Sequence, residues 1–135
     1  MSNLQTIFDL SLLRTLLARE LDHPLSLHGI SLSDLALLRE LRLAGGGKLR
    51  RSELAQRLGI TPSGVARQVA PLERMGLVAR ESHERDARLA LVVLTETGAR
   101  IVDEALATAG AAADRAFEQR WSPSERRQLA ELVAR

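Results

Sequence analysis

The side chains with chemistry to offer are arginines, and two neighbouring stretches concentrate them. Of the 19 cationic residues 18 are Arg, Lys48 being the sole Lys. The six residues 83–88 carry five ionisable groups, His83, Glu84, Arg85, Asp86 and Arg88, between two β-prone runs. A knot of charge so placed predicts a hairpin with its tip in water. Just before it, a helix from Pro62 to Met75, drawn at about 100° per residue, puts Val65, Val69 and Leu72 on one face with Met75 at its edge. Ser63, Arg67, Ala70 and Arg74 fall on the opposite face, and Ala70 and Gly64 leave room for a close approach. A guanidinium is a planar fork that matches phosphates and base edges. In a major groove, Arg67 can grip guanine O6 and N7 while Ser63 reaches a phosphate or base edge, and the helix N-terminus adds free N–H groups. An Arg-bearing hairpin alongside suits the DNA backbone or a narrow minor groove. Arg88 is the expected inserted side chain, Asp86 the acceptor that fixes its direction, and Arg85 a phosphate contact. Each stretch alone also reads as a solvated surface helix or a self-compensating turn; it is their adjacency that points to a nucleic acid.

Other chemistries find little support. Cysteine is absent, which removes disulfides and thiol catalysis together. The three histidines, His23, His28 and His83, form no H-x-x-x-H or H-E-x-x-H pair, so no metal or other cofactor is expected. "AGGGK" (44–48) lacks the spacing of a phosphate loop and reads as a flexible connector. No Ser/His/Asp set or isolated carboxylate pair stands out, and an enzyme is not expected. The start carries Asp9 in its apolar stretch and no basic region, so no signal peptide is expected and the chain is placed in the cytoplasm. Glu125 and Glu131 argue against a membrane role for the basic stretch 120–135.

The elements that must position the arginines follow from spacing. At 135 residues the chain suits one domain. Aromatic residues are only 2%, Phe8, Phe117 and Trp121, so the core must be Leu, Val, Ile and Ala, which favours close helix packing. Residues 4–21 place Leu4, Ile7, Phe8, Leu10, Leu13, Leu17 and Leu21 at helical spacing, ending near "DHP" because the residue before Pro24 resists the α region. Ser31 with Asp34 three residues on opens a second helix. A short helix at 51–58 closes at Gly59; Thr61 caps the next, with Pro62 at its first position and Gly76 beyond its end. These two have the shape of a helix-turn-helix. Pro71 should bend the second or leave a carbonyl to water. The hairpin occupies 77–94, Thr95 caps a helix running to about Arg120, and Ser122, Pro123 and Glu125 open the last. The fold class is mainly α with a small β-sheet.

The stretches "ELAQRLGITPSGVARQVAPLERMGLV" (53–78) and "ERDARLALVVLTETG" (84–98), the latter with a D-x-R pattern followed by L-T-x-x-G, resemble the MarR family of bacterial winged-helix transcriptional regulators. With the flanking helices, the resemblance covers nearly the whole chain. It implies a homodimer whose dimerisation helices come from both chain ends, 1–28 and 99–135, around a winged-helix DNA-binding lobe at 30–98. It also implies a repressor bound to a palindromic operator of double-stranded DNA, and a small aromatic or phenolic effector seated between the dimerisation helices and that lobe. Carried over by position, Thr61, Ser63, Gly64, Arg67, Gln68 and Arg74 belong to the recognition helix, and Arg85, Asp86 and Arg88 to the wing. Gly64 stands where relatives often have Ser or Thr, which removes one contact. The alternative left open is a winged-helix protein–protein interaction module without DNA binding, for which an outward Arg67 together with Arg88 would have little use.

Overall fold

Among the described residues, hydroxyl side chains start five of the six α-helices, each accepting the amide three residues on: Ser2 from Gln5, Ser31 from Asp34, Thr61 from Gly64, Thr95 from Gly98 and Ser122 from Glu125. In a computed structural model that describes residues 1–82, 85, 86 and 89–135, these helices are α1 (Asn3–Leu25), α2 (Leu32–Leu43), α4 (Pro62–Arg74), α5 (Glu96–Glu118) and α6 (Pro123–Val133). The sixth, α3 (Arg51–Leu58), starts instead with the Arg50 amide donating to the Glu53 carboxylate, 3.1 Å. Two glycines in the left-handed region end α3 and turn the chain out of α4, Gly59 at φ 67° and Gly76 at φ 77°. The described residues are mainly α with a small antiparallel sheet, as the spacing predicts.

Two local expectations are overturned. First, α1 does not stop before Pro24 but runs through it to Leu25. Pro24 lies in the last turn, where losing one amide matters least, and the extra residues deliver Leu25 to the core, where it is fully buried. Second, the sheet has a third strand. The chain after the Gly45–Gly47 turn forms β1 (Lys48–Arg50), which pairs with β3 (Leu91–Leu94), itself paired with β2 (Val78–Glu81), in the order β1-β3-β2. Register couples Leu49 to Val92 and Arg80 to Val92. Three residues are too few for alternation to show in a sequence, and their partner lies more than forty positions away.

The core gathers Leu35, Leu37, Leu38 and Leu41 of α2 with Leu54 of α3, Val65 and Leu72 of α4, Val92 of β3 and Val102 of α5. Farther along α5, Ala105, Ala109, Ala112 and Ala116 form a buried small-residue face, and α1 packs on this helix with Leu21 and Leu25. Two bidentate ion pairs fasten α5: Arg42 of α2 to Asp103 (3.1 and 2.9 Å) and Arg120 to Glu20 of α1 (3.0 and 2.6 Å). Hydrogen bonding from Arg120 holds the Glu20 carboxyl below its usual range. The amino-terminal half of α1 leaves the core altogether; Leu4, Ile7, Phe8, Leu10 and Leu12 are each more than half exposed.

Where β3 turns into α5, Thr95 ties the corner. Its hydroxyl accepts from the Gly98 amide (2.9 Å) and donates to the Gly76 carbonyl (2.7 Å), and its own amide donates to the Leu77 carbonyl (3.1 Å). Gly98 is needed here for space: a Cβ would overlap the Leu77 carbonyl oxygen and press to 2.8 Å on Leu94.

Gly98→Ala is therefore expected to destabilise the chain by about 2 kcal/mol or more, read as a lowered midpoint in urea unfolding. Glu20→Gln should lower the melting temperature at neutral pH. Because the folded carboxyl is depressed, the pair stabilises above the ordinary carboxylate range and is lost as pH falls through the folded value. The gap between native and variant should close in acid, and a gap that persists there would assign the effect to packing.

Candidate nucleic-acid interface

The helix α4 presents two unlike faces, as its spacing requires. Val65, Val69 and Leu72 are buried, while Ser63, Arg67 and Arg74 are exposed and Ala70 is half-buried; Met75, at the edge, is also exposed. Arg67 and Arg74 make no ion pair or side-chain hydrogen bond among the described residues, so both guanidinium forks stand open to a ligand. Thr61 is exposed at the helix start. Its hydroxyl caps the Gly64 amide at 3.0 Å and lies 3.1 Å from the Ser63 hydroxyl, joining cap and outward Ser into one unit.

Two further residues of α4 make contacts within the chain. A Cβ on Gly64 would meet the Thr61 hydroxyl at 3.2 Å and Ile60 at 3.7 Å, so the bare position gives room to its own helix cap. Gln68 is half-buried, its amide directed toward Asp34 of α2 at 3.5 Å. Pro71 is exposed within a continuous α4, which leaves the Arg67 carbonyl without its helical donor.

The wing follows α4 directly and is fastened to it. Arg80 of β2 donates to Glu73 of α4 at 2.6 Å, and Lys48 of β1 reaches across β3 to Glu81 of β2 at 2.8 Å. At the tip, Arg85 is exposed and Asp86 half-buried, both already engaged in interactions. Arg88, expected as the inserted side chain, lies outside the described residues, as does His83.

The sequence model of the MarR family matches residues 28–89, the segment from the end of α1 to the wing. An uncharacterised HTH-type transcriptional regulator of Mycobacterium leprae is 38% identical over 97 residues, 72% of this chain and 66% of that protein. The chain belongs to the MarR family. Its fold matches those of solved members: AbsC of Streptomyces coelicolor at 26% identity, TM-score 0.82, covering 98% of this chain and 91% of that one. A second Streptomyces coelicolor member, Sco3205, solved in complex with DNA, matches at 28% identity and TM-score 0.82, covering 99% of this chain and 86% of that one. The matched stretch thus spans somewhat less than two thirds of the Mycobacterium leprae relative's length.

In this MarR family chain the structure also brings together residues the sequence reading did not. A notch of about 910 Å³ between α4 and the wing is lined by Ser63 and Arg67 on one side and Asp86 on another. Its third wall is Arg50, Arg51 and Ser52, from the β1–α3 junction. The Arg doublet in "LRR" (49–51) is plain in the sequence, but with β1 unrecognised nothing placed it beside α4. Among the described residues no group of His, Asp or Glu side chains is arranged to hold a metal ion, and no helix is long and apolar enough to cross a membrane.

Replacing the α4 cap, Thr61→Ala, is expected to lower stability by about 1 kcal/mol, measured by urea unfolding. A neutral result would show that the Thr61 hydroxyl is not needed to satisfy the helix start.

Proposed function

We propose that this chain is a sequence-specific DNA-binding transcriptional regulator, a repressor, that acts as a homodimer on a palindromic operator. The observation that carries the reading is the outward face of α4. Ser63, Arg67 and Arg74 are presented to solvent, with both Arg lacking counter-ions among the described residues, on a helix fastened to a wing by Glu73–Arg80. That a relative of 28% identity and the same fold was solved in complex with DNA supports it. In this reading α4 enters the major groove with Arg67 on a base edge, Thr61 and Gln68 hold its start and flank, and Gly64 lets the cap close. Arg74 meets backbone, and Arg85, Asp86 and Arg88 of the wing engage the adjacent minor groove.

A dimer is supported by apolar surface. Leu4, Phe8 and Leu12 of α1 are each 60% exposed, and Leu132 and Val133 of α6 are exposed as well, a patch a lone soluble chain rarely leaves uncovered. An apolar groove of about 400 Å³ between α1, the end of α5 and α6, lined by Leu13, Leu17, Phe117 and Leu129, continues it. We assign residues 1–28 and 99–135 to dimerisation and 30–98 to the DNA-binding lobe, with a second copy of α1 and α6 as the occupant of that face. A twofold pair then presents two α4 helices to two half-sites. A small aromatic or phenolic effector belongs to the same reading; a relative from Rhodococcus jostii, CouR, at 27% identity and TM-score 0.76, was solved bound to p-coumaroyl-CoA.

Gel shift of the purified chain on its own upstream intergenic DNA is expected to show a complex that weakens steeply with salt. Arg67→Ala should cost about 1–3 kcal/mol on the preferred site and relax base choice. A double change Ile7→Asp with Phe8→Asp should yield monomers in sedimentation and lower operator affinity on the order of 100-fold. A chain that is monomeric and indifferent to that DNA at low salt would refute the proposal.

A further inference from the structure

The notch between α4 and the wing holds more positive charge than α4 alone supplies. Strand β1 turns Leu49 into the core and Lys48 and Arg50 outward. Lys48 is neutralised by Glu81, yet Arg50, two residues along the same face, makes no ion pair or side-chain hydrogen bond among the described residues. The same holds for Arg51, at the first position of α3. Cations of neighbouring elements are matched: Arg42 with Asp103, Arg57 with Glu40, Arg80 with Glu73. The nearby Glu53 is turned back to the Arg50 amide, and Asp86, which also lines the notch, is engaged in an interaction of its own.

Arg50, Arg51 and Arg67 thus surround one concavity without counter-ions among the described residues. Like charges held this way repel one another, and an anion in the notch relieves that repulsion. Pro62, Ala66 and Leu89 line the same concavity with apolar groups, which lowers the local dielectric and strengthens the attraction. Ser52 and Ser63 add hydroxyl donors. The guanidinium groups come from two walls, Arg50 and Arg51 from the β1–α3 junction and Arg67 from α4, which suits successive phosphates of a backbone strand better than one small anion.

We infer that Arg50 and Arg51 grip the phosphodiester backbone of the duplex that α4 reads, so that each half-site is held from the β1–α3 junction as well as from α4 and the wing. This rests on the DNA-binding reading above. Phosphate contacts fix position and carry no sequence information, so these two residues set affinity and register while Arg67 sets base choice.

The test is binding of the full chain, across a salt series, to its upstream DNA and to a short duplex of mixed sequence. It compares the native chain with Arg50→Ala, Arg51→Ala, the charge-keeping Arg50→Lys and Arg51→Lys, and, as a control, Arg39→Ala on the exposed side of α2, outside the notch. Each Ala variant is expected to weaken both duplexes alike. It should also reduce the slope of log K against log salt by about 0.9 per protomer, the loss of one phosphate contact, so that the native advantage narrows about 3.5-fold per protomer between roughly 50 and 200 mM salt. The Lys variants and Arg39→Ala should keep the native slope. Should an Ala variant fail to unfold cooperatively, Arg→Gln at the same position is read in its place. Unchanged slopes in both positions, or losses confined to the upstream DNA, overturn the inference while leaving DNA reading intact. Failure of the native chain to bind either duplex overturns the reading beneath it.

Discussion

The close approach of α5 to the chain leaving α4 governs how this molecule is put together. At that crossing Gly98 lies against the Leu77 carbonyl with no room for a methyl group, and the Thr95 hydroxyl and amide satisfy the carbonyls of Gly76 and Leu77. One end of the contact is the exit of α4, the helix with the outward arginines. The other is the start of the 23-residue α5, which packs on α1. A corner that tight leaves little freedom between the lobe carrying Arg67 and the helices at the chain ends, because a displaced Leu77 would leave buried backbone groups without partners.

From that corner the charges sort themselves by element. The pairs Glu73–Arg80 and Lys48–Glu81 hold α4, β2 and β1 as one piece, and Arg42–Asp103 and Glu20–Arg120 join α2 and α1 to α5. All are at least partly exposed, so each contributes modestly on its own; their effect is to fix orientation and to neutralise the cations that take part in them. Of the cations left without an ion pair among the described residues, Arg50, Arg51 and Arg67 meet in one place. A binding surface in this chain is therefore as much a matter of where carboxylates are missing as of where guanidinium groups stand.

The apolar surface is divided with the same logic. The inner parts of α2, α3, α4 and β3 are filled by Leu and Val against one another, whereas the first half of α1 keeps Leu4, Ile7 and Phe8 in water. In the proposed dimer that surplus serves the partner, and the spacing of the two α4 helices is then set by how α1 and α6 of two copies meet. An effector that wedges between those helices and the lobe would alter that spacing without touching Arg67.

Much of this was legible from order and spacing alone. The hydroxyl caps at Ser31, Thr61, Thr95 and Ser122, the helix-turn-helix closed by Gly59, and the opposed faces of α4 are local consequences of side-chain hydrogen bonding and a 3.6-residue repeat, so the residues themselves specify them. The family resemblance rested on the same local motifs, "ELAQRLGITPSGV" and "LTETG", whose Thr95 and Gly98 prove to build the α5 corner. Strand β1, the passage of α1 through Pro24, the inward turn of Gln68 to Asp34 and the meeting of Arg50 and Arg51 with Arg67 were not legible. Each depends on a partner far along the chain: Val92 for Leu49, the core for Leu25, α2 for Gln68. Local chemistry decided which helices form and which face carries charge; only three-dimensional packing, where distant segments compete for the same core and the same counter-ions, decided which of those charges remain free and beside one another.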